Sequence, residues 1–147
     1  MRWYFASRMR HKDSITLIVD FLKSHNHIIV YEWSKGESLQ PYATNSHKSS
    51  VVAKEITDSL QDVDVFVLIA DASGTDMFIE LGVVIGRYAQ RAKPKIYAVG
   101  EFNDRSLMHF HPAITRVDTL REVFVKECPD ILIKEGASFL STLRFTE

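Results

Sequence analysis

Residues 63–70 read Val-Asp-Val-Phe-Val-Leu-Ile-Ala and form the strongest strand signal in the chain. A short, nearly continuous apolar run is typical of a strand that is covered on both faces, as in a parallel sheet. The small-residue turn Asp71-Ala72-Ser73-Gly74-Thr75 follows, and a helical pattern then runs from about Asp76 to Gln90. A strand, a tight turn and a long helix in this order predict one unit of an α/β fold.

The same alternation continues on both sides of this unit. Further strands are predicted at 3–6, 28–31, 96–99 and 113–117, and further helices from Asp13, from Ser49 or Ser50, and from about Asp118. This order predicts the α/β class, with a three-layer, open, mostly parallel sheet and helices on both faces, as in flavodoxin-like and Rossmann-like proteins. Such sheets bind ligands beyond the carboxyl ends of their strands. We therefore expect the function in three loops, at residues 7–12, 33–46 and 71–75.

Length and composition set the broad class. The 147 residues predict a single domain over 1–147, in which 127–147 is a C-terminal extension that the pattern does not place. The sequence has 18 basic and 19 acidic residues, so its net charge is close to zero. We therefore expect it to bind neither nucleic acid nor a membrane surface. No apolar run approaches the roughly 20 residues that a bilayer requires. A charged N-terminus and one cysteine, Cys128, favour a soluble, cytoplasmic protein.

Glu80 is the most unusual residue in the sequence. It is the one charge in the stretch Met77-Phe78-Ile79-Glu80-Leu81-Gly82-Val83-Val84-Ile85-Gly86. Burial of a carboxyl group costs free energy unless the group is hydrogen-bonded, and it raises the pKa, which suits a nucleophile or an acid–base group. The alternative is that Glu80 lies on the exposed stripe of an amphipathic helix.

Two glycines in the same helix, Gly82 and Gly86, lie on one face. Glycine costs about 1 kcal/mol relative to alanine inside a helix, so its presence twice needs a reason. We expect this face to pack closely on the sheet or on a partner helix, rather than to contact a ligand.

The loops at the predicted edge of the sheet offer polar groups for a ligand. The turn before the helix, with Ser73 and Gly74, presents backbone N–H groups that bind an anion or a sugar hydroxyl, while Asp71 and Asp76 accept hydrogen bonds from a ribose or cap the helix. Ser7, Arg8 and Arg10 follow the first strand, where an arginine fork suits a phosphate, although such arginines are also often solvated.

Other site types find little support in the sequence. The turn lacks the Gly-x-Gly-x-x-Gly fingerprint of dinucleotide-binding proteins and the lysine of nucleoside triphosphatases. His109 and His111 form a possible metal-binding pair, but no cysteine or carboxylate cluster completes a site, so we expect no metal and no cofactor. Cys128 lacks the surroundings of a nucleophile, and we expect it to be inert.

These motifs resemble the nucleoside 2-deoxyribosyltransferase superfamily, which includes deoxynucleoside 5′-monophosphate N-hydrolases. The resemblance covers roughly residues 3–100. It lies in the opening Trp3-Tyr4-Phe5-Ala6-Ser7-Arg8-Met9-Arg10, in Val63-Asp64-Val65-Phe66-Val67, in the Gly-Thr turn and in Glu80-Leu81-Gly82. Residues 103–112 are similar to a little-characterised branch of this superfamily.

The resemblance implies a fold, a reaction and a set of site residues. It implies cleavage or transfer at the N-glycosidic bond of a nucleoside or nucleoside 5′-monophosphate, with Glu80 at the nucleophile position. Asp71 corresponds to the region that binds sugar hydroxyls or assists the leaving base, Tyr4 to an aromatic position near the ligand, and Ser7, Arg8 and Arg10 to the loop that holds a 5′-phosphate. Superfamily members commonly form homodimers, and the helix with Gly82 and Gly86, or the tail after Cys128, would supply the contact.

One departure from the superfamily pattern opens alternatives. A helix aspartate usually lies eight residues before the position of Asp64, where this chain has Ile56. Glu55 and Asp58 are the neighbouring carboxylates that could replace it. If neither does, a non-catalytic nucleotide-binding module is the competing interpretation. A second alternative is cleavage of NAD, because the architecture is distantly shared with TIR-like NAD glycohydrolases that use a helix glutamate.

Overall fold

The computed structural model describes residues 1–132, 137–143 and 145, and these form an α/β fold. Five parallel strands make one sheet in the order β2-β1-β3-β4-β5. Their bounds are β1 Arg2–Ala6, β2 Ile28–Ile29, β3 Val65–Ile69, β4 Lys95–Val99 and β5 Ile114–Val117. The predicted fold class is thus confirmed, and every strand pair in the sheet is parallel. Strand order reverses at β1, whose carboxyl end is therefore the expected ligand-binding crevice.

Among the described residues, six α-helices flank the sheet. They are α1 Lys12–Ser24, α2 Ser46–Ser59, α3 Asp76–Arg91, α4 Leu120–Glu127, α5 Pro129–Ile131 and α6 Ala137–Thr142. Single 3₁₀ turns lie at Met9–His11, Trp33–Lys35, Leu60–Asp62 and Leu107–Phe110. Within the described ranges, none of the helices has the length and apolarity to cross a bilayer.

Alternate side chains of each strand pack into two separate cores, because successive residues of a strand point to opposite faces of the sheet. Trp3 and Phe5 of β1 pack in the core with α1 and α4. Tyr4 and Ala6 pack in the other core, with Met77, Leu81 and Val84 of α3. Two cores on the two faces of one sheet make the predicted three layers.

The largest differences from the sequence-based predictions lie at β2, at α2 and in the C-terminal extension. Strand β2 spans only Ile28–Ile29, not 28–31, and α2 begins at Ser46 rather than at Ser49 or Ser50. The C-terminal extension, which the pattern did not place, is partly helical. Ile131 lies in the core beside α1 and α4, and described residues of the tail pack against that core, namely Phe139, Leu140, Leu143 and Phe145.

The prediction that Gly82 and Gly86 pack closely on the sheet is wrong. Both are exposed, and a Cβ added to either would meet nothing within 4 Å. The reason is the orientation of α3, which buries Met77, Leu81, Val84 and Ile85 and turns the glycine face outward. Ile79 of the same helix is 65% exposed.

The open space around these glycines predicts that alanine stabilises the chain. Gly82→Ala and Gly86→Ala should each raise the free energy of unfolding by about 0.5–1 kcal/mol, because alanine restricts the unfolded chain and favours helix. Denaturation with urea measures this. Gly74→Ala is the contrasting control, since Gly74 has φ +114° and its Cβ would lie 3.1 Å from Cε of Met77; it should destabilise. A loss of stability in Gly82→Ala would contradict an open face.

Candidate functional site

Glu80 lies in the second turn of α3, and its side chain is largely withdrawn from solvent. Burial raises the pKa of its carboxyl group, the nearby Tyr4 hydroxyl lowers it in part, and the Asp76 carboxylate raises it again, to a net pKa of about 8. The exposed-stripe alternative is therefore wrong. At neutral pH, the isolated protein holds Glu80 mainly in the protonated form.

Tyr4 places a phenol beside this carboxyl group. Its side chain is 0% exposed, and its hydroxyl has no hydrogen-bond partner of ordinary geometry among the described residues. Burial, followed by the charge of the neighbouring Glu80, raises the pKa of Tyr4. The Tyr4 hydroxyl thus lies close to the Glu80 carboxyl group without forming a hydrogen bond of ordinary geometry. A buried, unpaired hydroxyl is costly and marks a place where a ligand atom would be favourable.

Two further tyrosines lie near the Tyr4–Glu80 pair, and sequence reasoning missed both. The Tyr31 hydroxyl donates to Oε2 of Glu55 on α2 at 3.4 Å, and the Tyr42 hydroxyl donates to Oδ2 of Asp76 at 3.4 Å. Tyr31 precedes the long loop at residues 33–46, and Tyr42 lies within it. The Trp33 indole anchors this loop to the carboxyl end of β1 by donating to the Phe5 carbonyl at 2.7 Å. Aromatic residues before and within a long loop at the sheet edge were the available signal.

The carboxylates of α2 take different positions. Glu55 is exposed but contacts Tyr31, which lies near the Tyr4–Glu80 pair. Asp58 is exposed and instead pairs with Lys54 on the helix surface. Ile56 packs against the core that contains Tyr4. Of the two replacements considered for the missing aspartate, only Glu55 therefore approaches the Tyr4–Glu80 pair.

Asp71 forms a second group of site residues at the carboxyl end of β3. Its side chain is buried, and Oδ2 accepts from Nη2 of Arg10 at 2.6 Å and from Nε at 3.1 Å, while Oδ1 lies 3.4 Å from Nη1 of Arg8. Burial works against ionisation, but a hydrogen bond from the Ser73 N–H and the two arginines outweigh it and lower the pKa of Asp71. The carboxylate is thus already neutralised by this chain's own arginines.

The rest of the first loop joins this network. Ser7 Oγ lies 2.7 Å from Nδ1 of His11, whose Nε2 lies 3.7 Å from Oδ2 of Asp71. A Cβ at Gly74 would lie 3.3 Å from Cγ of Arg8, so the two loops touch. The structure therefore brings together Ser7, Arg8, Arg10, Asp71, Ser73 and Gly74 as one group, and Tyr4, Glu55 and Glu80 as the other.

The buried Asp71 network should contribute strongly to stability. Asp71→Asn leaves two arginines facing a neutral amide, so we expect the free energy of unfolding to fall by about 2–4 kcal/mol. Asp20→Asn is the matched control, because its ion pair with Lys35 lies at the surface and should change stability by less than about 0.5 kcal/mol. Chemical denaturation compares them, and equal effects would contradict the role given to the network.

Two cavities lie near the site, and Glu80 lines neither. One, of about 310 Å³, is bordered by Phe78, Gly82 and Ile85 of α3. At about 100° per residue, these side chains leave the helix on the side opposite Glu80. The other, of about 530 Å³, lies beyond β3, β4 and β5 and includes Arg10 and Asp71. The candidate site is accordingly the group of side chains around Glu80, between α3, β1 and the long loop, and neither cavity contains it.

The raised pKa of Glu80 predicts that wild type and Glu80→Gln differ in stability by an amount that depends on pH. The folded pKa exceeds the unfolded value, so the native state binds more protons between pH 4.5 and about 8, and rising pH through this window lowers the free energy of unfolding. Glu80→Gln removes this loss, and at pH 7 the variant should be more stable by on the order of 3 kcal/mol. Thermal unfolding at several pH values measures it. A difference that does not grow with pH would count against a buried carboxyl group.

His109 and Cys128 have surroundings typical of residues that stabilise the fold. In the part of the chain that is described, no group of three or more potential ligands could hold a metal ion. His109 is buried and its Nδ1 accepts from the Ser106 N–H at 3.1 Å, which closes a turn. Burial raises the pKa of Cys128 to about 11, and a protonated thiol is a poor nucleophile.

The fold is shared with a known N-glycosidase. The solved structure of the CMP N-glycosidase BcmB from Clostridium botulinum matches with a TM-score of 0.54 and 15% sequence identity, over 88% of this chain and 98% of that chain. At this identity the likeness shows a common fold. No protein-family model matches the sequence, and no curated protein matches it either.

Proposed function

We propose that this protein cleaves or transfers at the N-glycosidic bond of a nucleoside or nucleoside 5′-monophosphate, with Glu80 as the nucleophile. The observation that carries the proposal is a half-buried carboxyl group with a raised pKa beside an unpartnered phenol, at the edge where the strand order reverses. The shared fold with a CMP N-glycosidase supports the same reaction class.

The chemistry follows that of retaining glycosidases. The ionised Glu80 attacks C1′ of the sugar, the base departs with the bonding electrons, and a glycosyl ester forms on Glu80. Water or a second base then attacks C1′ and releases the carboxylate. Tyr4 is well placed to donate a hydrogen bond to the carboxylate or to the sugar, because its hydroxyl is otherwise unpaired. Asp71 corresponds to the sugar-binding region of the superfamily that the sequence resembles. It would act here by holding Arg8 and Arg10 of the first loop in place.

Phosphate binding is assigned to the first loop. Arg8 is the favoured ligand because its contact with Asp71 is long, at 3.4 Å, and its side chain is 37% exposed. Arg10 holds Asp71 more tightly, and Ser7 would have to release His11. The backbone N–H of Gly74, before α3, adds to the same subsite, whereas the Ser73 N–H already donates to Asp71.

A non-catalytic nucleotide-binding module is the second candidate. It is favoured by Ile56 at the usual aspartate position and by the pKa of about 8 at Glu80, which leaves little carboxylate at neutral pH. Release of nicotinamide from NAD, by contrast, would identify a TIR-like NAD glycohydrolase.

The deciding experiment is release of free base from a panel of nucleosides, nucleotides and NAD by wild type and Glu80→Gln. Asp130→Asn, an exposed carboxylate on α5, is the matched control. Base release that requires Glu80 supports the enzyme. Calorimetric binding of a nucleotide without turnover would select the binding module, and equal rates in wild type and Glu80→Gln would reject Glu80 as nucleophile.

We also propose that two copies of this chain associate through the outward face of α3. Next to the exposed Gly82 and Gly86, α3 exposes Ile79 at 65%. The turn Leu107–Phe110, whose Met108 lines a cavity with Gly82, exposes Leu107 at 86% and Phe110 at 56%. Apolar side chains grouped in this way are typical of interaction surfaces. Light scattering should give twice the chain mass for wild type and the monomer mass for Ile79→Glu. A monomeric wild type would remove the proposal.

A further inference from the structure

The cavity of about 310 Å³ lies on the side of α3 that faces away from Glu80, and the function proposed above makes no use of it. Its lining comes from two segments, and includes Phe78, Leu81 and Gly82 of α3 together with Arg105, Ser106 and Met108 before and within the turn Leu107–Phe110. Gly82 and Arg105 are exposed, so the cavity opens to solvent. Small-molecule sites begin at about 300 Å³, and this cavity therefore has room for a ligand of one or two rings.

Gly82 leaves the helix backbone open on this side. A Cβ at Gly82 would meet no atom of the described chain within 4 Å, and the residue lines the cavity, so a side chain here would extend into empty space. Glycine inside a helix costs about 1 kcal/mol relative to alanine, and no packing within the described chain offsets this cost. A missing side chain in such a place lets a group from outside the chain approach the backbone.

Arg105 brings a positive charge to the cavity. The carbon at the centre of its guanidinium lies 5.9 Å from the centroid of the Phe78 ring, and one N–H donates to the Asp71 carbonyl at 3.0 Å. Unlike Arg8 and Arg10, it makes no ion pair with a carboxylate of residues 1–132, 137–143 or 145. Its remaining N–H donors therefore favour an anion, and a carboxylate fits the guanidinium with two parallel hydrogen bonds.

A buried donor without a partner adjoins the same wall. His109 is fully buried, and its Nδ1 accepts from the Ser106 N–H at 3.1 Å, so the neutral ring carries its proton on Nε2. Burial lowers the pKa of His109 and thus favours this neutral form. Nε2 has no hydrogen-bond partner among the described residues. The His109 ring contacts the Phe78 ring edge-on, with centroids 5.8 Å apart, and both Phe78 and Ser106 line the cavity. An acceptor supplied from outside the chain would therefore be favourable here.

We propose that this cavity is a binding site for a planar aromatic anion of one or two rings, such as an aromatic carboxylate. The ring would lie against Phe78, the bare backbone at Gly82 and the Met108 side chain, and the carboxylate would bind Arg105. The inference goes beyond the proposed function and does not depend on it, because the cavity lies on the other side of α3 from Glu80 and binding breaks no bond.

Calorimetric titration of the whole chain with 2-naphthoate tests the ligand class. Two probes of similar size serve as controls, namely neutral 2-naphthamide and the non-planar anion decahydro-2-naphthoate. We expect 2-naphthoate to bind at one site, about tenfold or more tightly than either control. Failure of 2-naphthoate to bind, or an equal affinity for either control, would overturn the inference.

Four variants test the place of binding. Gly82→Leu should fill the cavity and weaken 2-naphthoate binding about tenfold or more, whereas Gly86→Leu, on the same face but outside the cavity, should not. Both glycines lie in open space, so both variants should fold, and urea denaturation checks this. Arg105→Gln should weaken binding about tenfold. Its control is Arg121→Gln, because Arg121 is exposed and lines the larger cavity instead.

Binding elsewhere would give a different pattern. Unchanged affinity in Gly82→Leu, or a loss in Arg121→Gln, would place 2-naphthoate outside this cavity and overturn the inference. Glu80→Gln should bind it as wild type does, and so should Ile79→Glu, which removes the proposed association of two copies, because neither residue lines the cavity. A loss in either would also overturn the inference. Base release is measured separately, so this inference and the proposed function can each fail alone.

Discussion

Glu80→Gln is expected to lower kcat for base release by on the order of 10³-fold or more, since an amide cannot form the glycosyl ester. Glutamine has the same size and can still accept a hydrogen bond from Tyr4, so substrate affinity should change little. Glu80→Asp keeps a carboxylate but withdraws it from C1′ by one methylene, and we expect a loss of about 10²-fold. Single-turnover measurements on both variants separate binding from chemistry.

Some results with these variants would contradict Glu80 as the nucleophile. If Glu80→Gln retained activity within about tenfold of wild type, the reaction would proceed without covalent capture. Asp130→Asn should match wild type throughout. A variant that loses binding as well as turnover would indicate a role for Glu80 in holding the substrate instead.

The pH dependence of kcat/KM should follow the ionisation of Glu80 in the free enzyme. The carboxylate is the reactive form and its pKa is raised to about 8. Activity should therefore fall about tenfold for each pH unit below that value and level off above it. Burial is the main cause of the shift, so this profile should persist at high salt.

Asp76→Asn tests the cause of the profile. Removing this anion withdraws one of the two effects that raise the pKa of Glu80, so the midpoint should move to lower pH. A flat profile between pH 6 and 8 would contradict a buried carboxylate as the reacting group.

The sheet and its long helix were predictable because their signals are local. β3 is continuously apolar, and α3 has a clear helical period, so neighbouring residues alone define both. β2 was overestimated because Val30 and Tyr31 are good strand residues, yet only Ile28 and Ile29 pair with β1 in the sheet. The helices of the C-terminal extension were not predicted, because its apolar residues fit no single helix or strand period.

The site was predictable only in part. Glu80 stood out because a lone charge in an apolar helix is a local anomaly. The ion pair between Arg10 and Asp71 joins residues 61 positions apart, and no pattern tells an arginine that binds a phosphate from one that binds a carboxylate of its own chain. Tyr31 and Tyr42 likewise come near the Tyr4–Glu80 pair only through the path of the long loop. The exposure of Gly82 and Gly86 could not be predicted either, because it depends on which side of α3 packs on the sheet.

Covalent capture of the sugar tests the central claim most directly. A 2-deoxy-2-fluoro nucleoside slows hydrolysis of a glycosyl ester, so incubation followed by mass spectrometry of peptides should find one added glycosyl group on the peptide that contains Glu80. The label should be missing in Glu80→Gln. Cleavage of the same compound with no labelled peptide, or with the sugar attached at another residue, would contradict Glu80 as the nucleophile.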